Sequence, residues 1–238
     1  MQKFRPSLAL SICTLLGLAV LFSLGTWQAV KVGPKQARIQ KVNERFSLPA
    51  IDVSDLRGAL IDNEFRHVKW SGELVEVPPY RHFLTNKKGE AGYHLYKPLK
   101  DNTGKVLLVN YGWVPFEYDI TQLKWPTGPI SVRGYIRKSV TALPFQPDND
   151  AVNNFWYVAN LDEMCAPFVN NNLSCADVRL ILNGDETAFP LQGQMAIKLP
   201  NRHREYAFTW FGIAAALIAV FVGFGLQRGR ELAQENNK

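Results

Sequence analysis

The stretch LALSICTLLGLAVLFSLGTW, residues 8–27, decides the architecture because it contains no charged residue. A helix of roughly 20 residues, rising 1.5 Å per residue, matches the hydrocarbon core of a bilayer. A second uncharged stretch, YAFTWFGIAAALIAVFVGFGL, occupies residues 206–226. Trp27, Tyr206 and Trp210 lie at the ends of these stretches, where aromatic rings favour the membrane interface. We therefore predict two transmembrane helices.

Two other interpretations of these stretches stay open. The first could be a cleaved signal peptide, and the second could be the buried core helix of a soluble protein. A signal peptide usually has a shorter apolar region and a small-residue cleavage site, and residues 23–28 (SLGTWQ) offer neither clearly.

The composition of the 238-residue chain narrows the class of protein. Hydrophobic residues make up 47% of the chain and charged residues 20%, so disordered, collagen-like and low-complexity proteins are excluded. The net charge of +6 indicates an acidic partner. Three cysteines are too few for a disulfide scaffold or a structural zinc cluster.

Two spans would place residues 1–7 and 227–238 on one side of the membrane and residues 28–205 on the other. With only seven residues before the first span, we expect no mitochondrial leader and hence a bacterial plasma (inner) membrane. Basic residues flank the spans on both sides: Lys3, Arg5, Arg228 and Arg230 on the tails, and Lys31, Lys35, Arg38, Lys198, Arg202 and Arg204 on the loop. Long loops cross largely regardless of charge and the first helix usually dominates, so we expect the loop on the periplasmic side.

The residues between the spans predict one mainly-β domain. From Phe65 onward the pattern alternates with period two, and turn-forming segments separate the runs. The predicted strands are 66–75, 93–99, 106–114, 130–136, 156–159, 178–182 and 194–197. Helices are predicted at 33–46, with Pro34 in the first turn, and at 161–169, capped by Asn160. Short strands with regular turns favour an antiparallel, barrel-like domain with short helices.

Common catalytic motifs are missing from the sequence. It contains no nucleophile elbow, zinc-protease motif, P-loop, Cys-x-x-Cys or c-type haem motif. We therefore expect a protein that is not an enzyme and that binds no nucleic acid. His67, His82 and His94 lie on or beside predicted strands without metal-ligand spacing, so we expect surface or hydrogen-bonded histidines there.

His203 differs from the other histidines because it lies just before the second span. Helical spacing places it on one face with Tyr206 and Trp210, and Trp27 and Gln28 end the first span at the same depth. From spacing alone, His203 is either an interfacial anchor or part of a ligand site.

Four motifs occur in a characteristic order along the chain. They are residues 24–28 (LGTWQ), Gly92-Tyr93 followed by Pro98-Leu99, residues 109–115 (VNYGWVP), and Asn201-Arg202-His203 with Tyr206, Thr209 and Trp210. Their order and the two flanking spans resemble the Surfeit locus protein 1 family of cytochrome c oxidase assembly factors over nearly the whole chain. The sequence departs from that family at Tyr111, where arginine is usual, and at Arg202, where a second asparagine is common.

The resemblance implies a membrane-anchored factor that helps build haem-copper oxidase and handles haem a. The implied partners are the oxidase catalytic subunit, haem a synthase, other assembly factors and the lipid bilayer. The resemblance also implies that His203 is a ligand of the haem iron, and imidazole suits iron. Around the ring, Trp27, Tyr206 and Trp210 could stack.

The haem propionates would need cations at the water boundary. Arg204, Arg202, Lys198 and Lys31 lie there in the sequence and could bind them. Attraction to anionic lipid headgroups is the alternative role for these cations.

Two rival functions stay open. One is a structural chaperone that holds the oxidase subunit and never binds haem. The other is a membrane-tethered enzyme with its site in the β domain.

Cys165 and Cys175 lie in the loop, whereas Cys13 lies in the first span. If the loop is exported to an oxidising compartment, we expect a disulfide between Cys165 and Cys175. By chain entropy, so short a loop would add on the order of 2–3 kcal/mol to the stability.

The predicted topology can be tested with a reporter fusion. With both tails in the cytoplasm, alkaline phosphatase fused after Lys238 should be inactive, because that enzyme needs an oxidising compartment to form its disulfides. An active phosphatase at that position would contradict the topology.

Overall fold

The fold comes from a computed structural model that describes residues 4–195 and 200–235. Within these ranges the chain forms two compact units. The first contains the described residues up to Lys41 and from Pro200 onward, and the second runs from Val42 to Met195.

The described residues form three α-helices: α1 Leu8–Ser47, α2 Leu161–Val169 and α3 His203–Glu235. By length and composition, α1 and α3 could each cross a membrane. The two stretches predicted as spans lie inside them. The helix predicted at 161–169 is confirmed, and the Asn160 side chain caps it by accepting a hydrogen bond from the Asp162 backbone N–H at 3.0 Å.

The helical conformation predicted at 33–46 is confirmed, but the predicted start with Pro34 in the first turn is wrong, because α1 continues through Pro34 without a break. An interior proline removes one backbone hydrogen bond and clashes with the preceding turn, at a cost of about 3 kcal/mol. The polar run after Pro34 is rich in good helix formers, such as Gln36, Ala37 and Arg38, and these favour continuation of the helix.

Helices α1 and α3 pack against each other in antiparallel directions. The Arg5 backbone N–H donates to the Gly225 carbonyl at 3.0 Å near one end of the pair. Toward the other end, the Phe22 and Phe211 rings lie 6.0 Å apart, centroid to centroid. Small residues allow the approach, as is common between membrane helices, and Ala214 is only 1% exposed.

The second unit contains eight strands among the described residues: β1 Ile51–Asp52, β2 His67–Leu74, β3 Tyr80–Phe83, β4 Gly92–Lys100, β5 Lys105–Pro115, β6 Pro129–Lys138, β7 Phe155–Trp156 and β8 Ser174–Leu182. Five of them follow the order β2-β6-β8-β5-β4, and a short pairing of β4 with β2 at Leu74 and Leu99 closes the ring. β1 adds to β2, β3 adds to β4, and β7 adds to β3. The predicted barrel-like domain flanked by two terminal helices is confirmed.

The sheet is mixed rather than purely antiparallel. β5 and β8 run parallel, with Val109 opposite Leu180. Parallel neighbours need a long crossover connection, and the chain makes one here through β6, β7 and α2. The alternation of apolar and polar residues shows which face of a strand is buried but not the direction of its partner strand. The parallel pairing of β5 with β8 could therefore not be predicted.

The remaining strand predictions have mixed outcomes. The predicted strands at 66–75, 93–99, 106–114, 130–136 and 178–182 correspond to β2, β4, β5, β6 and β8. The one at 156–159 is confirmed only at Trp156, and β1 and β3 were missed. Of the strand predicted at 194–197, Gln194 and Met195 are not in a strand, and residues 196 and 197 lie outside the described residues.

Helix α2 is tied to β8 by the predicted disulfide. Cys165 and Cys175 are bonded, with their Cα atoms 6.1 Å apart, and this prediction is confirmed. The buried face of α2, formed by Leu161, Met164 and Phe168, packs into a core cluster of the barrel with Trp156 and Ile181, among others.

Two buried histidines of the described residues lie on paired strands of the second unit. His82 and His94 lie opposite each other on β3 and β4, and both are almost fully buried. The Asn110 side-chain nitrogen lies 3.1 Å from Nδ1 of His94. Burial lowers the pKa of His82 to about 3 and that of His94 to about 4, so both rings are neutral in the folded protein at pH 7.

These histidines predict loss of stability in acid. In the unfolded chain both rings bind a proton below about pH 6.5, while in the folded chain they stay neutral to about pH 4. Stability is therefore unaffected above pH 6.5 and falls below it, by about 4 kcal/mol for the pair at pH 5.

The test follows tryptophan fluorescence of the full-length protein in detergent during heating. The unfolding temperature should fall on the order of 10 °C between pH 7 and pH 5, and His82→Phe should remove about half of that fall. Equal unfolding temperatures at the two pH values would contradict the prediction.

Candidate functional site

His203 is held against α1 by a hydrogen bond to Gln28. The distance between His203 Nδ1 and Gln28 Oε1 is 2.7 Å. Both side chains are half-buried, and each lies at the end of a predicted span, Gln28 after the first and His203 before the second. The bond therefore joins two of the four motifs, LGTWQ and the motif that begins at Asn201.

Two small residues, Gly25 on α1 and Ala207 on α3, allow the helices to approach where this bond forms. A Cβ atom at Gly25 would lie only 2.8 Å from the Phe211 ring, closer than van der Waals contact permits. Ala207, one turn after His203, is buried on the same side of α3. The small residues at these two positions bring the facing backbones close enough for Gln28 to reach His203.

A second polar contact lies one turn further along α1. The Asn201 side-chain nitrogen donates to the Val32 carbonyl at 3.2 Å. The Asn201 Oδ1 atom is buried and has no hydrogen-bond partner among the described residues. We call Gln28, the Val32 carbonyl, Asn201 and His203 the polar clasp.

The hydrogen bond determines which nitrogen of the imidazole carries the proton. The Gln28 carbonyl oxygen can only accept, so Nδ1 of His203 donates and carries the hydrogen. In the neutral ring Nε2 then keeps its lone pair. Within residues 4–195 and 200–235, Nε2 has no hydrogen-bond partner.

The other predicted site residues are Trp27 on α1 and Arg204, Tyr206 and Trp210 on α3. Trp27 and Tyr206 are 54% and 51% exposed, Trp210 is half-buried and Arg204 is exposed. In the described part of the chain, no ring contact, hydrogen bond or ion pair joins their side chains to each other or to His203. The structure thus brings His203 together with Gln28 and leaves the aromatic rings open.

The cations predicted to bind the haem propionates are exposed where the structure describes them. Lys31 and Arg202 are exposed, like Arg204. Lys198 lies outside the described residues. Three basic side chains near the polar clasp in sequence are therefore accessible to an anion.

The other two motifs meet inside the barrel, where they have a packing role. Gly92 on β4 lies opposite Pro115 on β5, and a Cβ atom at Gly92 would lie 2.7 Å from the Trp113 indole. The register shifts along β5, so that Tyr111 is an extra residue in a β-bulge. Gly112 follows it with φ of +134°, and a Cβ atom there would lie only 2.5 Å from the Leu191 carbonyl oxygen, so no other residue fits.

Tyr111, which stands where the family usually has arginine, is buried close to the cation Lys97. Its ring meets Trp125 edge-on at 5.2 Å, and the Lys97 ammonium lies 5.3 Å from the centre of the same Trp125 ring. Lys97 also donates to the Val77 carbonyl at 2.6 Å. Burial lowers the pKa of Lys97 and raises that of Tyr111. A cation therefore lies near this strand, on β4 instead of β5.

Sequence reasoning missed the hydrogen bond between Gln28 and His203 and the contact of Asn201 with Val32. It placed Gln28 at the depth of His203 but could not pair the two side chains, which are 175 residues apart. The available signal was the position of both residues within motifs that end one span and begin the other.

Comparisons with known proteins identify the family of this chain. A sequence model described as SURF1 family matches residues 15–215. A SURF1-like protein of Rickettsia felis is 27% identical over 222 residues, covering 89% of this chain and 95% of that protein. Surfeit locus protein 1 of Takifugu rubripes is 30% identical over 223 residues, covering 83% of this chain and 89% of that protein. Because the family match includes most of the chain and both sides of the polar clasp, this protein belongs to the SURF1 family.

Proposed function

We propose that this protein is a membrane-anchored assembly factor for haem-copper (cytochrome c) oxidase that carries haem a to the catalytic subunit. Membership of the SURF1 family supports the assembly role. The observation that carries the haem part is the bond between His203 and Gln28, which leaves an imidazole nitrogen with a free lone pair at the start of α3.

The donor set of the protein fits haem better than a bare metal ion. No group of three or more His, Cys, Asp or Glu side chains in the described ranges could hold a metal. Haem brings most of the donor atoms for its own iron, so one protein imidazole, that of His203, would suffice to hold it. His203 has the right chemistry, because its Nε2 lone pair is not used by another group among the described residues.

The residues around His203 also suit the other parts of haem a: its ring, its propionates and its isoprenoid tail. The exposed faces of Trp27 and Tyr206 and the half-buried Trp210 can contact a flat apolar ring. Arg204 and Arg202 can bind carboxylates at the water boundary, where guanidinium groups form paired hydrogen bonds. The isoprenoid tail of haem a favours the apolar environment that α1 and α3 require.

We also propose the topology that places this site on the outer face of a bacterial inner membrane. Residues 8–27 and 206–226 would span the bilayer, residues 1–7 and 227–238 would be cytoplasmic, and residues 28–205 would be periplasmic. The disulfide between Cys165 and Cys175 supports an oxidising location for the domain. Bacterial relatives such as the Rickettsia felis protein support a bacterial membrane. The proposed partners are the oxidase catalytic subunit, haem a synthase, other assembly factors and lipid.

The proposal predicts that His203→Ala loses most of its haem a. The protein should still insert and accumulate, because the change leaves one hydrogen-bond acceptor on Gln28 unpaired, at a cost of about 1 kcal/mol. Haem a is measured by its absorption in protein purified from a host that makes it. His67→Ala, which removes a histidine of the β domain, is the matched control and should keep the parental haem content.

Two further variants test the surroundings. Arg204→Ala should weaken haem binding only partly, because an exposed ion pair contributes about 1 kcal/mol or less. Tyr206→Phe should leave binding unchanged if only the ring is used. If His203→Ala retains as much haem a as the parent, His203 is not the ligand. A structural chaperone would then explain the family role, with assembly defects expected from β-domain variants instead.

A further inference from the structure

We propose that Gln28 is a positioning residue for His203: its carbonyl oxygen holds the imidazole in the Nδ1–H form, so that Nε2 is the nitrogen available to haem iron. The iron part of this inference rests on the proposed function. The tautomer part concerns the haem-free protein and can be tested without any cargo.

The geometry is that of a strong, specific hydrogen bond. At 2.7 Å between Nδ1 and Oε1, the contact is at the short end for an N–H donor and an oxygen acceptor. It joins side chains from two different helices, so the ring is oriented by α1 although it belongs to α3. Ligand histidines in metalloproteins commonly donate their second N–H to such an acceptor, which sets ring orientation and strengthens the other nitrogen as a ligand.

Gln28 is itself held in place by the packing around it. Gly25, one turn earlier on α1, lies against the Phe211 ring, and Val32, one turn later, receives the hydrogen bond from Asn201. The α1 backbone on both sides of Gln28 is therefore fixed to α3. This keeps the Gln28 side chain within hydrogen-bond reach of His203.

An amide can offer either its oxygen or its nitrogen, and this gives a sharp test. With the amide nitrogen toward the ring, Nδ1 would accept and Nε2 would carry the proton, which would leave no lone pair for iron. Gln28→Glu can only accept, so it must preserve the Nδ1–H form. Gln28→Leu can do neither and releases the ring.

The two variants, Gln28→Leu and Gln28→Glu, should differ in how they change haem a binding. Gln28→Leu should weaken haem binding about 10- to 100-fold, as is typical when the partner of a ligand histidine is removed. Gln28→Glu should retain binding and lower the reduction potential of the bound haem, because a carboxylate acceptor makes the imidazole a stronger electron donor. Gln36→Leu, on an exposed position of the same helix, is the matched control and should change neither property.

The tautomer is measured first, in the haem-free, full-length protein in detergent. The chain has four histidines, so ¹⁵N-histidine labelling gives few signals, and the His203→Ala variant identifies the one from His203. We expect the Nδ1–H form in the parent, in Gln28→Glu and in Gln36→Leu, and a mixture of forms in Gln28→Leu. Haem content and reduction potential are then measured on the same variants.

The outcomes separate this inference from the proposed function. An Nε2–H form in the parent, or Gln28→Leu that matches the parent in tautomer, haem content and potential, would overturn the role of Gln28 even if His203→Ala loses haem. If the tautomers are as expected but His203→Ala keeps its haem, the proposed function fails and Gln28 orients a histidine that is not the ligand.

Discussion

The absence of a side chain at Gly25 is the constraint on which the pairing of α1 and α3 depends at their polar end. The Phe211 ring occupies the space that a Cβ atom would need, so the two helices approach closely there. Only at that distance can the Gln28 side chain reach His203 across the helix pair. In an apolar environment, where no hydrophobic force drives helices together, such close packing and one polar contact supply much of the specificity.

In the barrel, too, glycine residues leave space for neighbouring groups, but there they serve only strand packing. Gly92 leaves room for the Trp113 indole, and Gly112 leaves room for the Leu191 carbonyl at the bulge in β5. The first contact packs β4 against β5, and the second packs β5 against the segment at Leu191. Together they account for two of the four family motifs as packing requirements. The remaining two motifs meet at the polar clasp. There they place the His203 imidazole, whose Nε2 atom has an available lone pair. This division is why the helix pair, and not the barrel, is the candidate site.

The polar end of the helix pair is more accessible than the polar groups of the barrel. The Trp27 and Tyr206 rings and the guanidinium groups of Arg202 and Arg204 are exposed there, and His203 is half-buried. The buried polar groups of the barrel do not offer such a surface. His82 and His94 are enclosed and neutral, and Lys97 is already bonded to the Val77 carbonyl and packed on Trp125. They stabilise or constrain the domain.

The sequence by itself determined the features that depend on neighbours along the chain. Length and lack of charge predicted the two apolar segments, alternation predicted the principal barrel strands, and Asn160 with its following residues predicted α2, because each pattern reflects local backbone geometry. Tertiary structure decided the rest: the parallel pairing of β5 with β8 and the bond between Gln28 and His203. Strand partners and contacts between helices join residues far apart in the chain. Their free energy comes from packing in three dimensions, which the order of residues along one segment does not contain.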